Sequence, residues 1–227
     1  MEMITGQNKA GLPVVESFFT LQGEGYHSGR AAFFIRLGGC DVGCTWCDVK
    51  ESWDGDHHPV LTVSEILKQA IRESGREGKI GGMGDPKSEG RELREQIAVV
   101  TGGEPLMHHC GELTMSLKSA GFRTHIETSG THPLSGQWDW VCFSPKKFKK
   151  PLQEIFEAAN ELKVVVYNKT DFAWAEENAA HVSAPCKLFL QPEWSKSAQM
   201  TPLIIDYIKA NPKWRFSLQL HKYIHVP

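Results

Sequence analysis

The sequence predicts an α/β fold in which short strands alternate with helices. Three observations carry that prediction. Apolar runs of strand length recur along the chain, amphipathic stretches lie between them, and unusual polar motifs sit just after the strands. The strand segments are Val14–Phe18, Ala31–Leu37, Ile97–Thr101, Thr124–Glu127, Trp140–Phe143, Leu162–Val166, Lys187–Leu190 and Arg215–Leu218. They are rich in Val, Ile and Phe and too short for helices. The helical segments are Val63–Glu73, Glu112–Ala120, Leu152–Asn160, Asp171–Asn178 and Thr201–Ala210. Thr62 or Ser64 is placed to cap the first, with Glu65 in its opening turn. Gly121 stops the second. Pro202 is expected in the first turn of the last, and Asn211-Pro212 ends it. Such alternation implies a parallel sheet covered by helices.

The chain has 227 residues. At roughly 150 residues per domain this reads as one large or two small units. No linker divides it and no internal repeat is visible, so a single domain over 1–227 is expected. Six glycines fall within the sixteen residues Gly75–Gly90, among many charges. That composition predicts a flexible surface insertion, drawn at 75–95. Hydrophobic residues make up 41% and charged residues 23%, a soluble globular balance. No apolar run is long enough to span a membrane. The net charge of −2 argues against direct binding of nucleic acid. The opening Met1-Glu2-Met3-Ile4-Thr5-Gly6 lacks a secretory pattern. The six cysteines do not form the even framework of a disulfide scaffold. Reduced thiols and a cytoplasmic setting are expected.

Those cysteines divide three and three. Cys110, Cys142 and Cys186 are scattered and read as ordinary buried residues, whereas Cys40, Cys44 and Cys47 form Cys-x3-Cys-x2-Cys. Thiolates are soft ligands for zinc or iron–sulfur clusters. Three of them are one short of a closed four-cysteine site. Two chemistries meet this spacing: zinc completed by His57 or His58, or a 4Fe-4S cube whose fourth iron stays open for a substrate or cofactor. The third reading is three unrelated core cysteines. A closed zinc site leaves the neighbouring motifs unexplained. Thr101-Gly102-Gly103-Glu104-Pro105, Glu127-Thr128-Ser129-Gly130, Ser144-Pro145-Lys146, Gln191-Pro192 and Gln219-Leu220-His221-Lys222 all follow strands. In a parallel α/β sheet those carboxyl ends share one edge, where a site is assembled.

Cys40-Asp41-Val42-Gly43-Cys44-Thr45-Trp46-Cys47, with an aromatic residue before the third cysteine, resembles the cluster motif of radical S-adenosylmethionine enzymes. The TGGEP stretch resembles their glycine-rich motif, whose glycines let the backbone approach the cofactor's methionine. Leu21-Gln22-Gly23-Glu24-Gly25-Tyr26, Phe34-Ile35-Arg36-Leu37, Ile126–Thr131, Ser144-Pro145-Lys146 and His221-Lys222-Tyr223 narrow the resemblance to the 7-carboxy-7-deazaguanine synthase family. The resemblance runs from about Val15 to the C-terminus, and the glycine-rich insertion matches least.

That resemblance implies a partial, modified TIM-like barrel of parallel strands with outer helices, usually a homodimer. It implies a lyase of the 7-deazapurine (queuosine) pathway. The reaction turns 6-carboxy-5,6,7,8-tetrahydropterin into 7-carboxy-7-deazaguanine with loss of ammonia, using electrons from a flavodoxin-like or other reductant. Cys40, Cys44 and Cys47 would ligate the 4Fe-4S cluster. Trp46, Cys47, Asp48, Gly103, Glu127, Thr128, Ser144, Pro145 and Lys146 would line S-adenosylmethionine. Leu21, Gln22, Gly23, Arg36 and Thr101 would hold the pterin, together with the terminal carboxylate of Pro227. Arg36 offers a planar fork for a carboxylate. Gln22 offers both a donor and an acceptor.

Each role has an alternative. Arg36 is also placed to be a buried ion-pair partner of Glu24, and Glu104 to brace its own turn. Lys146 belongs to a basic run, Lys146-Lys147-Phe148-Lys149-Lys150, that reads as a solvated patch. His221 is also a candidate core histidine. Many family members carry Thr or Ser two positions after the third cysteine, as a Mg2+ ligand. Val49 stands there in this chain and has no side-chain oxygen, which leaves the Mg2+ ligand set incomplete. The competing functions are another radical S-adenosylmethionine enzyme, such as a glycyl-radical activase, and a zinc-binding module without catalysis.

Overall fold

A computed structural model of the chain describes residues 11–76 and 96–227. The strands are β1 (Leu12–Leu21), β2 (Ala31–Leu37), β3 (Val60–Leu61), β4 (Ile97–Gly102), β5 (Arg123–Thr128), β6 (Trp140–Phe143), β7 (Glu161–Val166), β8 (Lys187–Pro192) and β9 (Trp214–Phe216). They form one sheet in the order β3-β1-β2-β4-β5-β6-β7-β8-β9. The helices are α1 (Val63–Glu73), α2 (Gly111–Ser119), α3 (Gln153–Ala158), α4 (Thr170–Ala179), α5 (Ser197–Ala210) and α6 (Leu220–Ile224).

From β2 to β9 every neighbouring pair is parallel. The sheet does not close on itself, which gives the expected partial barrel. One strand departs from the parallel expectation. β1 runs antiparallel to β2, with Glu16 opposite Arg36. The connection between them holds only a short turn at Gly25–His27, whereas a parallel crossover needs a dozen or more residues.

Strand alternation sorts the side chains into two sets. On β7, Leu162, Val164 and Val166 face outward into a core shared with Ala175 of α4 and Ile204 of α5. Lys163 and Val165 face the cavity inside the sheet. On β2, Phe33, Ile35 and Leu37 pack under α1 and α2 with Ile66, Leu113 and Leu117, while Phe34 and Arg36 face inward. Each fully buried side chain of this kind contributes about 1.5–3 kcal/mol, an upper estimate for an extended unfolded chain. Helix α1 starts where the sequence placed it. The Thr62 hydroxyl accepts from Glu65 N at 3.3 Å, and the Glu65 carboxylate accepts from Thr62 N at 2.7 Å.

Some boundaries differ from expectation. Helix α5 begins at Ser197, so Pro202 lies inside it rather than in its first turn. Pro202 sits on the exposed face, where water can meet the carbonyl it leaves unbonded. The last strand ends at Phe216, and the chain then turns into α6. The expected insertion lies outside the described residues from 77 to 95, but its first residues belong to the fold. Arg76 is only 4% exposed, and its guanidinium stacks on Phe122 at 4.4 Å.

Candidate active site

The carboxyl ends of β2, β4, β5, β6, β7 and β8 surround one cavity of about 260 Å³. Cys40, Cys44 and Cys47 line it, as do Trp46, Asp48, Gly103, Glu127, Thr128, Ser144 and Lys146. Leu21, Gln22, Gly23, Arg36, Thr101 and Pro227 line the same space. Of the site residues expected from the sequence, Pro145 alone is not on that wall and lies buried.

The Cys40–Cys47 loop is held by backbone. Gly39 N donates to Ser52 O at 2.8 Å and Cys40 N to Trp53 O at 3.0 Å. Gly103 N reaches Leu37 O at 2.9 Å and Glu104 N reaches Gly39 O at 2.8 Å. Here the Gly102-Gly103 pair has a reason internal to the fold. A Cβ on Gly103 would lie 2.7 Å from the Gly39 carbonyl carbon and 2.9 Å from Cys40 Cβ. Side chains clamp the loop from the other side. Asp41 pairs with His132 at 3.0 Å and with Lys149 at 2.5 Å. Burial alone would raise the Asp41 pKa, but these two partners outweigh it and the net shift is downward.

All six cysteines among the described residues are free thiols. Burial pushes Cys44 up to about 11; Lys146 opposes this, and Cys47 and Cys40 add to it. Cys40 is raised by burial as well, with Cys47 and Glu104 adding to the shift. The three thiols thus feel one another, and binding a metal cluster would displace their protons. The zinc alternative fares worse. His57 pairs with Asp54 at 2.8 Å, and His58 Nε2 bonds the Glu51 carbonyl at 2.8 Å. Among the described residues no three His, Cys, Asp or Glu side chains have the spacing of a single-ion site. Three thiols on the wall of one cavity are a donor set suited to a thiolate-bound cluster. Cys110 and Cys186 are buried, each pushed up by burial to about 12, and Cys142 is buried and raised well above the usual thiol range. All three behave as core residues.

Glu104 braces its turn, as one reading of the sequence had it. Its carboxylate accepts from Thr128 Oγ1 at 2.6 Å, from Ser129 N at 2.8 Å, and from the Ser129 hydroxyl. It therefore fixes the β4 and β5 ends together. Arg36 is ion-paired, but with Glu16 rather than Glu24. Its Nε donates to Glu16 Oε1 at 2.7 Å, and the side chain also borders the cavity. Lys146 is not a solvated lysine. Its ammonium donates to Ser144 Oγ at 2.6 Å and lies 5.5 Å from the centre of the Trp46 ring. Burial lowers its pKa. His221 lines the cavity, and a Cβ on Gly23 would meet its Cγ at 2.9 Å. Gly23 is therefore the gap that seats α6. Asp48 is tied to the same helix by Lys222 at 2.9 Å.

The deepest polar wall was not apparent from the motifs. Gln22 Nε2 donates to Glu127 Oε1 at 2.9 Å, and Glu24 N donates to Gln22 Oε1 at 3.0 Å. Lys163 bridges Glu24 and Glu127, the latter at 3.3 Å. Gln219 Nε2 donates to the other Glu24 oxygen at 3.1 Å. A lysine in the middle of an apolar strand was the available signal for this wall.

No family model matches the chain. A protein of Flavobacterium psychrophilum described as 7-carboxy-7-deazaguanine synthase is 51% identical over 95% of this chain and 93% of its own length. Proteins of the same description from Synechocystis and Escherichia coli are 46% and 37% identical, each over 94% of this chain and over 93% and 98% of their own lengths. The crystal structure of QueE from Escherichia coli superposes with a TM-score of 0.76 at 33% identity, covering 92% of this chain and 94% of that one.

Proposed function

This chain belongs to the 7-carboxy-7-deazaguanine synthase family, and on that premise we propose that its cavity converts 6-carboxy-5,6,7,8-tetrahydropterin to 7-carboxy-7-deazaguanine with loss of ammonia. The product feeds 7-deazapurines such as queuosine. The observation that carries this reading is the convergence of Cys40, Cys44 and Cys47 with Arg36, Gln22 and Pro227 on one cavity. In this reading Cys40, Cys44 and Cys47 hold a 4Fe-4S cluster, and Trp46, Asp48, Gly103 and the Ser144–Lys146 segment border S-adenosylmethionine. When bound, those cofactors supply a carbon-centred radical that takes hydrogen from the pterin.

The chain's own task is to bind, aim and exclude water. Arg36 meets the pterin carboxylate with its terminal nitrogens, because Nε is turned to Glu16. Gln22 has its amide fixed at both ends and so presents one remaining donor and acceptor. Thr101 and Leu21 border the ring. Helix α6, through His221, and Pro227 border the same cavity. Glu127, held by Gln22 and Lys163, has both oxygens oriented, and Thr128 holds β5 to Glu104. A flavodoxin-like or other one-electron reductant and a homodimeric assembly complete the reading.

Mg2+ does not fit the residues present. Val49 offers no oxygen, and Asp48 is engaged by the Lys222 ammonium.

The test is anaerobic reconstitution with iron and sulfide, then incubation with carboxytetrahydropterin, S-adenosylmethionine and dithionite. Formation of 7-carboxy-7-deazaguanine by mass spectrometry is the expected result. Reductive cleavage of S-adenosylmethionine without consumption of the pterin would redirect the assignment to another radical enzyme. A colourless protein holding zinc would support the binding module instead.

A further inference from the structure

The cavity floor carries a charge arrangement that neither the cluster nor the cofactor needs. Lys163 stands at the middle of β7 and is 3% exposed. An isolated buried ammonium is costly, so its partners must compensate. It donates to Glu24, from the β1–β2 connection, and to Glu127 on β5. Glu24 is also bonded by Gln219, and Glu127 by Gln22. The outcome is two carboxylates sharing one lysine, all three lining the cavity.

We propose that Lys163 is a positioning residue: it holds Glu24 and Glu127, the latter expected from the sequence beside S-adenosylmethionine, aimed instead as a pair of acceptors for the donor-rich edge of a planar aminopyrimidinone ring. This rests on the proposed pterin substrate and deepens it. Such a ring presents an amino group and a ring N–H, both donors, which neutral carboxylic acids would meet poorly. Burial works against the charge on Glu24, yet the Lys163 pairing brings it down to about 2. Burial likewise opposes the charge on Lys163, and the groups around it overcome this and hold it well above its usual range. Those groups are Cys142, Glu127, Glu24 and Glu161. Cys142 is itself pushed so far up that it stays neutral, which leaves the carboxylates as the source. Glu161 is raised by burial despite Lys163, and it bonds Tyr26 N and Trp140 Nε1 rather than lining the cavity. From the rim, Lys146 and His221 also face the network, as does Asp48 towards Glu24. Removing the ammonium would leave two partly buried carboxylates in the same polar network with no cation between them, so their mutual repulsion would favour the protonated form of the pair.

The experiment measures binding, not turnover. The probe is fluorescent pterin-6-carboxylate, titrated into anaerobically reconstituted holoenzyme with S-adenosylmethionine from pH 6 to pH 8.5. Wild type should bind with an affinity that is flat across this range. Lys163→Met should bind about 30-fold more weakly at neutral pH, and its affinity should climb with pH as the carboxylates ionise. Its S-adenosylmethionine affinity should stay within about threefold of wild type. Lys163→Met/Glu24→Gln removes one charge of each sign. It should regain the melting temperature of wild type and lose the pH dependence, but not recover affinity. Flat, wild-type binding by Lys163→Met overturns the inference, as does an equal loss for both ligands. If Lys163→Met does not fold, the double variant decides: wild-type pterin affinity there overturns the inference. Should wild type itself fail to bind the probe, the substrate assignment fails first, and the two failures are told apart.

Discussion

Gly103→Ala tests how the cluster loop is placed. Gly103 has no backbone angle that only glycine can adopt, so the effect of an added methyl is steric. The new Cβ would lie 2.7 Å from the Gly39 carbonyl carbon and 2.9 Å from Cys40 Cβ. Ordinary contact requires nearly 1 Å more, and the neighbours are backbone rather than a flexible side-chain end. The Cys40 loop must therefore move away from the end of β4. That movement breaks the Gly103 N to Leu37 O and Glu104 N to Gly39 O bonds, at 2.9 and 2.8 Å. Two such bonds are worth about 1 kcal/mol each, and the overpacking adds about 1–3 kcal/mol. The sum is about 3–5 kcal/mol, or a fall of about 10 °C in melting temperature for a domain of this size. Scanning calorimetry of the apo protein reads the first effect. Iron retained after desalting reads the second, and it should fall well below wild type. Gly43→Ala is the control, because Gly43 has φ +72 with nothing within 4 Å of its missing Cβ. It should cost only about 1–2 kcal/mol of backbone strain. A Gly103→Ala protein that melts within about 2 °C of wild type and loads iron fully would refute the reasoning.

Other predictions follow from the same geometry. Glu16 is half-exposed, so Glu16→Gln should change stability by less than about 1 kcal/mol, while Arg36→Ala should raise the pterin KM at least tenfold with little change in melting temperature. Two buried histidines set the acid limit. His27 and His125 are held down to about 4 and about 3, chiefly by burial and then by neighbouring positive charge. The unfolded chain binds these protons near pH 6.5 and the folded chain does not, so stability present above that pH drains away as pH falls towards 4. The loss is on the order of 3 kcal/mol per histidine, and His125→Phe should flatten the profile of melting temperature against pH. Mg2+ should change turnover less than about twofold, since Val49 gives it no oxygen; Val49→Thr should gain a response.

Much of this molecule was legible in its sequence because outer strand faces are written in apolar residues. Leu162, Val164 and Val166 announce β7, and the motifs after the strands announce the rim. The inner face was harder to read. Glu161 and Lys163 alternate with those apolar residues, so they declare themselves only when the neighbouring strands and the β1–β2 connection bring Glu127 and Glu24 alongside. The same holds for Arg36, whose partner is Glu16 because β1 pairs antiparallel with β2. Lys146 sits in a lysine run that looks solvated, and only its position after β6 turns it onto Trp46. Gly102 and Gly103 were read as space for a cofactor. Their nearest obligation is to the Cys40 loop itself, a contact between residues about sixty apart that no local pattern records.

In the proposed reading Cys40, Cys44 and Cys47 hold a cluster on the wall of a pterin cavity. Parallel measurement of iron, sulfide, visible absorbance and turnover in anaerobically reconstituted wild type and Cys44→Ala tests it most directly. Wild type should be brown, carry iron and sulfide in equal amounts amounting to one cube per chain, and form 7-carboxy-7-deazaguanine. Cys44→Ala should lose the cluster and the product together. Turnover that persists in Cys44→Ala without iron, or a colourless wild type that binds one zinc, would contradict the account.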